Sequence, residues 1–135
     1  MPATLGMALS ASLVVALSHP DASLERISNE GGVKMSAQYL PHESDLADET
    51  IFRINLSTHY VDLNEYDLKE LSFVNIDDGP PQQATDWVAS GDNHHIQGIL
   101  SFAGHGLQSS RQVQLIIKGI GKSKDRVFEW NAPVK

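Results

Sequence analysis

The chain has 135 residues, 41% of them apolar and 20% charged, and its 17 acidic and 10 basic side chains leave a net charge of −7. That length holds one hydrophobic core without covalent staples. The acidic balance and the scatter of Lys and Arg argue against nucleic-acid binding. The absence of cysteine excludes disulfides, thiolate metal sites and cysteine nucleophiles.

Residues 1–20 carry no Asp, Glu, Lys or Arg, and Leu5–Leu17 is small and apolar. Such a run is too short for a bilayer, which needs about 20 residues, but it matches the apolar centre of an export signal. Ala16-Leu17-Ser18 has the small-x-small form of a cleavage site, although no Lys or Arg precedes the run. The expected organisation is a signal peptide over 1–18, a linker over 19–32 and a β-sandwich domain over 33–135, secreted or periplasmic.

After Gly31-Gly32 the pattern alternates with the period of a strand. Val33, Met35, Ala37 and Tyr39 share one face, and Pro41 to Glu49 reads as an acidic loop. Thr50 to His59 alternates again, with Phe52, Ile54 and Leu56 in phase. Leu63 to Leu71 departs towards helical spacing, which predicts one or two helical turns capped by Asn64. Leu71 to Ile76 is a third strand, stopped by Asp77-Asp78-Gly79-Pro80-Pro81. Short strands follow at Thr85–Ala89, His95–Phe102, Gln112–Lys118 and Arg126–Trp130. Lys122, Lys124 and Arg126 form the one local group of basic residues and read as a solvated turn.

Seven short strands with turn chemistry between them predict an all-β, seven-stranded antiparallel sandwich of immunoglobulin-like architecture, with a short helical turn between the second and third strands. Trp87, Phe102, Phe128 and Trp130 fall on strands and read as core, leaving Tyr60 as the aromatic best placed to be exposed.

Because each strand reverses the chain, alternate connections share an end. One end should gather 59–70, 90–94 and 119–124. That end brings together His59, Asp62, Asp67, Asp92, His94 and His95. Neutral imidazoles with a carboxylate suit Zn²⁺ or Cu²⁺, so His59, His94 and His95 are candidate metal ligands, with Asp62 as a further ligand or an orienter of a ligating ring. Side chains of adjacent strand residues point to opposite faces, so within a regular strand only one of His94 and His95 can serve. The competing reading is that these histidines decorate a surface turn. The opposite end gathers His42, Glu43, Asp45, Asp48, Glu49, Asp77 and Asp78 without a calcium-loop spacing, and reads as a solvated acidic surface.

Enzymatic motifs are not found. No Gly-x-Ser-x-Gly occurs, and Gly121-Lys122-Ser123 follows Ile116 where a phosphate loop requires Gly. The chain therefore reads as a non-enzymatic binding or accessory domain. One version binds a transition metal at the histidine-bearing end. The other is a protein-interaction module that uses the Tyr60–Glu70 connection, with no metal.

Thr58-His59-Tyr60-Val61-Asp62-Leu63, Tyr66-Asp67-Leu68, Trp87, His94-His95 and Gly98-x-Leu100-x-Phe102 together resemble small exported prokaryotic proteins of uncharacterised function. The likeness spans roughly residues 50–130, and Asn93 stands where a Gly often precedes the histidine pair. The resemblance implies export and a β-sandwich, and no activity. If the leader is removed, amino-terminal sequencing of the mature protein will start near His19; a start at Met1 would refute cleavage.

Overall fold

The computed structural model describes residues 24–104 and 112–131. The expected leader and its cleavage site lie outside the described residues. Two antiparallel sheets enclose one core. The larger contains β1 (Glu25–Glu30), β2 (Val33–Tyr39), β3 (Glu49–Thr58), β6 (Asp86–Gly91) and β7 (His95–Ala103), in the order β1-β2-β3-β7-β6. The smaller contains β4 (Ser72–Ile76), β5 (Gln82–Gln83), β8 (Gln112–Ile117) and β9 (Arg126–Asn131), in the order β5-β4-β8-β9.

The alternating pattern sets the faces. Val33, Met35, Ala37 and Tyr39 of β2, Phe52, Ile54 and Leu56 of β3, and Val113, Leu115 and Ile117 of β8 are all buried. An aromatic cluster fills the centre, with ring centroids 5.0 Å apart for Phe52–Trp130, 5.7 Å for Tyr39–Phe52 and 5.8 Å for Phe52–Phe102. Gly98 is buried on the inner side of β7, where a Cβ would come within 2.7 Å of the Trp87 ring. The glycine makes room for the indole.

The architecture differs from the expectation in three places. Among the described residues nine strands form rather than seven. Glu25–Glu30, within the span expected as a linker, pairs with β2 through a two-residue turn at Gly31 (φ 60°) and Gly32 (φ 81°), which two glycines permit without strain. Gln82–Gln83 adds a two-residue edge to β4. Second, Pro41–Ala47 is a helix, α1, rather than a loop. Pro41 sits at its start, and buried Ser44 holds it to the sheet by donating to the Leu40 carbonyl (2.6 Å) and accepting from the Ile51 amide (2.9 Å). One buried serine leaves no apolar periodicity to read. Third, the expected helical turns do form, as a 3₁₀ turn over Leu63–Glu65 and a helix, α2, over Leu68–Leu71. Their caps are Asp62 and Asp67 rather than Asn64. No helix among the described residues is long and apolar enough to cross a membrane.

Arg126, expected in a solvated basic turn, is 2% exposed. Its guanidinium donates to the carbonyls of Glu30 (2.6 Å) and Val33 (3.0 Å) and to Ser123 Oγ (3.3 Å). It thus joins β9 of the smaller sheet to the β1–β2 hairpin of the larger one. Burial pulls its pKa below the usual arginine value, while the Glu30 charge opposes that pull. Farther along the same side of the sandwich, Trp130 Nε1 donates to the Leu24 carbonyl (2.6 Å) and Arg26 Nε to the Glu129 carbonyl (3.0 Å).

Arg126→Met keeps the aliphatic bulk but leaves the buried Val33 carbonyl and the part-buried Glu30 carbonyl without their charged donor. Chemical denaturation should show a loss of about 2–4 kcal/mol, and Ser123→Ala a loss under about 1 kcal/mol. Equal losses would show that the guanidinium contributes no more than its weakest bond.

Candidate functional site

The connections expected to share an end do meet. The Thr58 amide donates to the His94 carbonyl (3.0 Å) and the Leu63 amide to the Asn93 carbonyl (2.8 Å). The Gly121 amide donates to Tyr66 Oη (3.2 Å), bringing in the β8–β9 turn. Thr58 organises the centre of this pole. Its hydroxyl donates to the Gly32 carbonyl (2.7 Å) and accepts from the amides of Tyr60 (3.1 Å) and Val61 (3.2 Å).

The turn so formed presents Tyr60, which is 83% exposed. The His59 ring meets it edge-on, with centroids 6.2 Å apart at 75°. Leu63 and Leu68 anchor the rest of the connection in the core. Tyr60 is therefore held by a fixed turn rather than carried on a loose loop.

The four residues expected to hold a metal share this pole. His59 is exposed just beyond β3. Asp62 is exposed and accepts from the Asn64 amide (3.0 Å), which caps the 3₁₀ turn. His94 is half-buried in the bend before β7, and His95, the first residue of β7, is exposed opposite Ser57. Among the described residues no three His, Asp or Glu side chains form a group able to hold a metal ion. That statement also covers the described acidic residues of the opposite end, where His42, Glu43 and Asp45 lie on α1.

Asp92 shapes the turn between β6 and β7. Its Oδ1 accepts from the amides of both His94 and His95 at 2.8 Å, and its own amide donates to the His95 carbonyl at 2.8 Å. The two amide bonds hold its carboxyl below the ordinary carboxylate range; desolvation opposes them, and the neighbouring imidazoles add a smaller downward pull.

His95 also lines a groove of about 600 Å³ on the outer face of the larger sheet. Its floor follows the strand register, with Ile27, Ser36, Asn55, Gln97 and Ser90 in one row across five strands, and Lys34, Ser57 and His95 in the next. Hydroxyl, amide and imidazole groups alternate with apolar surface from Ile27 and Ile96, and Glu25 and Lys34 contribute a carboxylate and an ammonium. Sequence reading missed this groove. The outward residues of each strand are plain in the alternation, but which strands lie side by side is not.

No protein-family description matches the chain, and no curated protein or solved structure is significantly similar to it.

Because the folded pKa of Asp92 is depressed, its contribution is full above the unfolded carboxylate pKa of about 3.9 and fades as pH falls through the folded value. Asp92→Ala should lower the melting temperature at neutral pH, with the gap to wild type narrowing below about pH 4. A gap independent of pH would show that the carboxylate charge is not what holds the turn.

Proposed function

We propose that the chain is a non-enzymatic binding module of immunoglobulin-like architecture, which holds a protein segment against the Tyr60 rim and the adjoining groove. The strand order supports the architecture. With β1 and β5 set aside, the remaining strands run β2-β3-β7-β6 and β4-β8-β9, the order of the two immunoglobulin sheets. The observation that carries the function is the exposed Tyr60 on a turn fixed by Thr58. A rigid tyrosine supplies a large amphipathic contact at little entropic cost, and such residues anchor protein interfaces. The groove beside it offers amides and hydroxyls suited to a peptide backbone.

Zinc or copper bound by His59, His94, His95 and Asp62 is the second reading. It is supported by the register that sets Thr58 against His94. It requires these side chains to turn towards a common point.

Peptides selected against the protein from a random library should shift the amide resonances of Tyr60, His95 and Gln97, and Tyr60→Ala should weaken them about tenfold or more, which corresponds to about 1.4 kcal/mol. Ligands that map elsewhere would defeat the first reading. A rise in melting temperature with Zn²⁺ or Cu²⁺ that vanishes in the His59→Ala/His94→Ala/His95→Ala variant would favour the second.

A further inference from the structure

The four outer strands of the two sheets are not equally protected. Edge strands invite pairing with other chains unless they are short, charged, bent or interrupted by proline. β5 has two residues and follows Pro80-Pro81. β1 carries Glu25, Arg26 and Glu30. β9 carries Arg126 and Glu129, and Arg26 already occupies the Glu129 carbonyl. β6 has six residues, Asp86-Trp87-Val88-Ala89-Ser90-Gly91, with one charge and no proline, and its Asp86 carboxylate accepts from the Trp87 amide (3.0 Å), a single exposed bond that an incoming strand can replace. It pairs with β7, and among the described residues no strand pairs with its other side. Val88 at its centre is 63% exposed.

We propose that β6 pairs antiparallel with β6 of a second copy of this chain, joining the two larger sheets into one continuous sheet about a twofold axis at Val88. The strand's own sequence singles out that occupant. In a continuous antiparallel sheet, residues directly opposite each other point to the same face. With the axis at Val88, position 88 meets 88, 87 meets 89 and 86 meets 90.

Each of those pairs is compatible. On the outer face Val88 meets Val88 of the second copy. Ile99, opposite Val88 within each chain, extends the apolar row on both sides. Asp86 meets a serine hydroxyl rather than a second carboxylate. On the inner face Trp87 meets Ala89, and Gly98 already admits the indole close to its own sheet. The strand is self-complementary in charge, size and polarity, as a twofold interface must be. The net charge of −7 on each chain opposes the approach, so association strengthens with salt.

Because the chain has no cysteine, a single introduced thiol reports the contact directly. Opposed Cα atoms in an antiparallel pair lie about 4.5–5.5 Å apart, within disulfide range. Val88→Cys should oxidise to a disulfide dimer at least about tenfold faster than Val127→Cys, which stands on the other sheet with similar exposure. The unmodified protein should sediment increasingly as a dimer as concentration and salt rise, and Val88→Lys should remain a monomer with an unchanged melting temperature. Equal oxidation rates for the two cysteine variants would overturn the proposal. So would a protein that stays monomeric throughout and shifts its β6 amides only on addition of an unrelated extended peptide, an outcome that would assign the edge to a different partner.

Discussion

A buried guanidinium that reaches from one sheet to the other is the constraint on which the arrangement of the pole depends. Arg126 belongs to β9, yet two of its three bonds end on the β1–β2 hairpin. A cation in that position is stable only while its donors are met, because desolvation penalises every one that is not. The same requirement draws two turns together. A Cβ on Gly31 would lie 2.5 Å from the Ser123 amide nitrogen, and one on Gly121 2.7 Å from the Gly31 carbonyl. Glycine at both positions lets the backbones approach, and their positive φ angles suit the turns they form.

The exposed features of the pole follow from that closure. Gly32, held in the clamped hairpin, offers its carbonyl to Thr58, and Thr58 in turn fixes the amides that set Tyr60 in place. Tyr66 reaches Gly121 from the same connection. The chain from a buried arginine to an exposed tyrosine is thus a short series of hydrogen bonds through turns. It fixes the backbone at Tyr60 without burying the side chain, a useful condition for a contact residue whose binding should not require prior ordering of the turn.

The larger sheet presents two surfaces of different character. Its outer face near the histidines carries hydroxyls and amides, whereas its β6 edge pairs with no described strand and has an apolar centre. The groove reaches Ser90 and Gly91 at the end of β6, so a strand added to that edge would extend the groove's wall. Both surfaces depend on Gly98 and Trp87, since the close seat of the indole on β7 holds β6 against the sheet.

The alternating strands, the helical turns after β3, the buried aromatics and the sharing of one pole by His59 and His94-His95 were legible in the chain alone, because period-two hydrophobicity and strict reversal of direction are local properties. The strand Glu25–Glu30 was not, because its outward and inward residues differ little in polarity and its place comes from pairing with β2. Nor was α1, whose one buried residue is a serine. Arg126 looked like any surface cation, since nothing nearby in sequence indicates that the carbonyls awaiting it lie some 90 residues earlier. The histidines illustrate the same divide. Sequence brought their backbones to one rim, but the bonds that hold those backbones there come from the Asp92 turn, the start of β7 and the Thr58 network. Local pattern determines which residues alternate and where the chain turns; only the folded neighbours decide which polar groups find each other, because those bonds are made across sheets rather than along the chain.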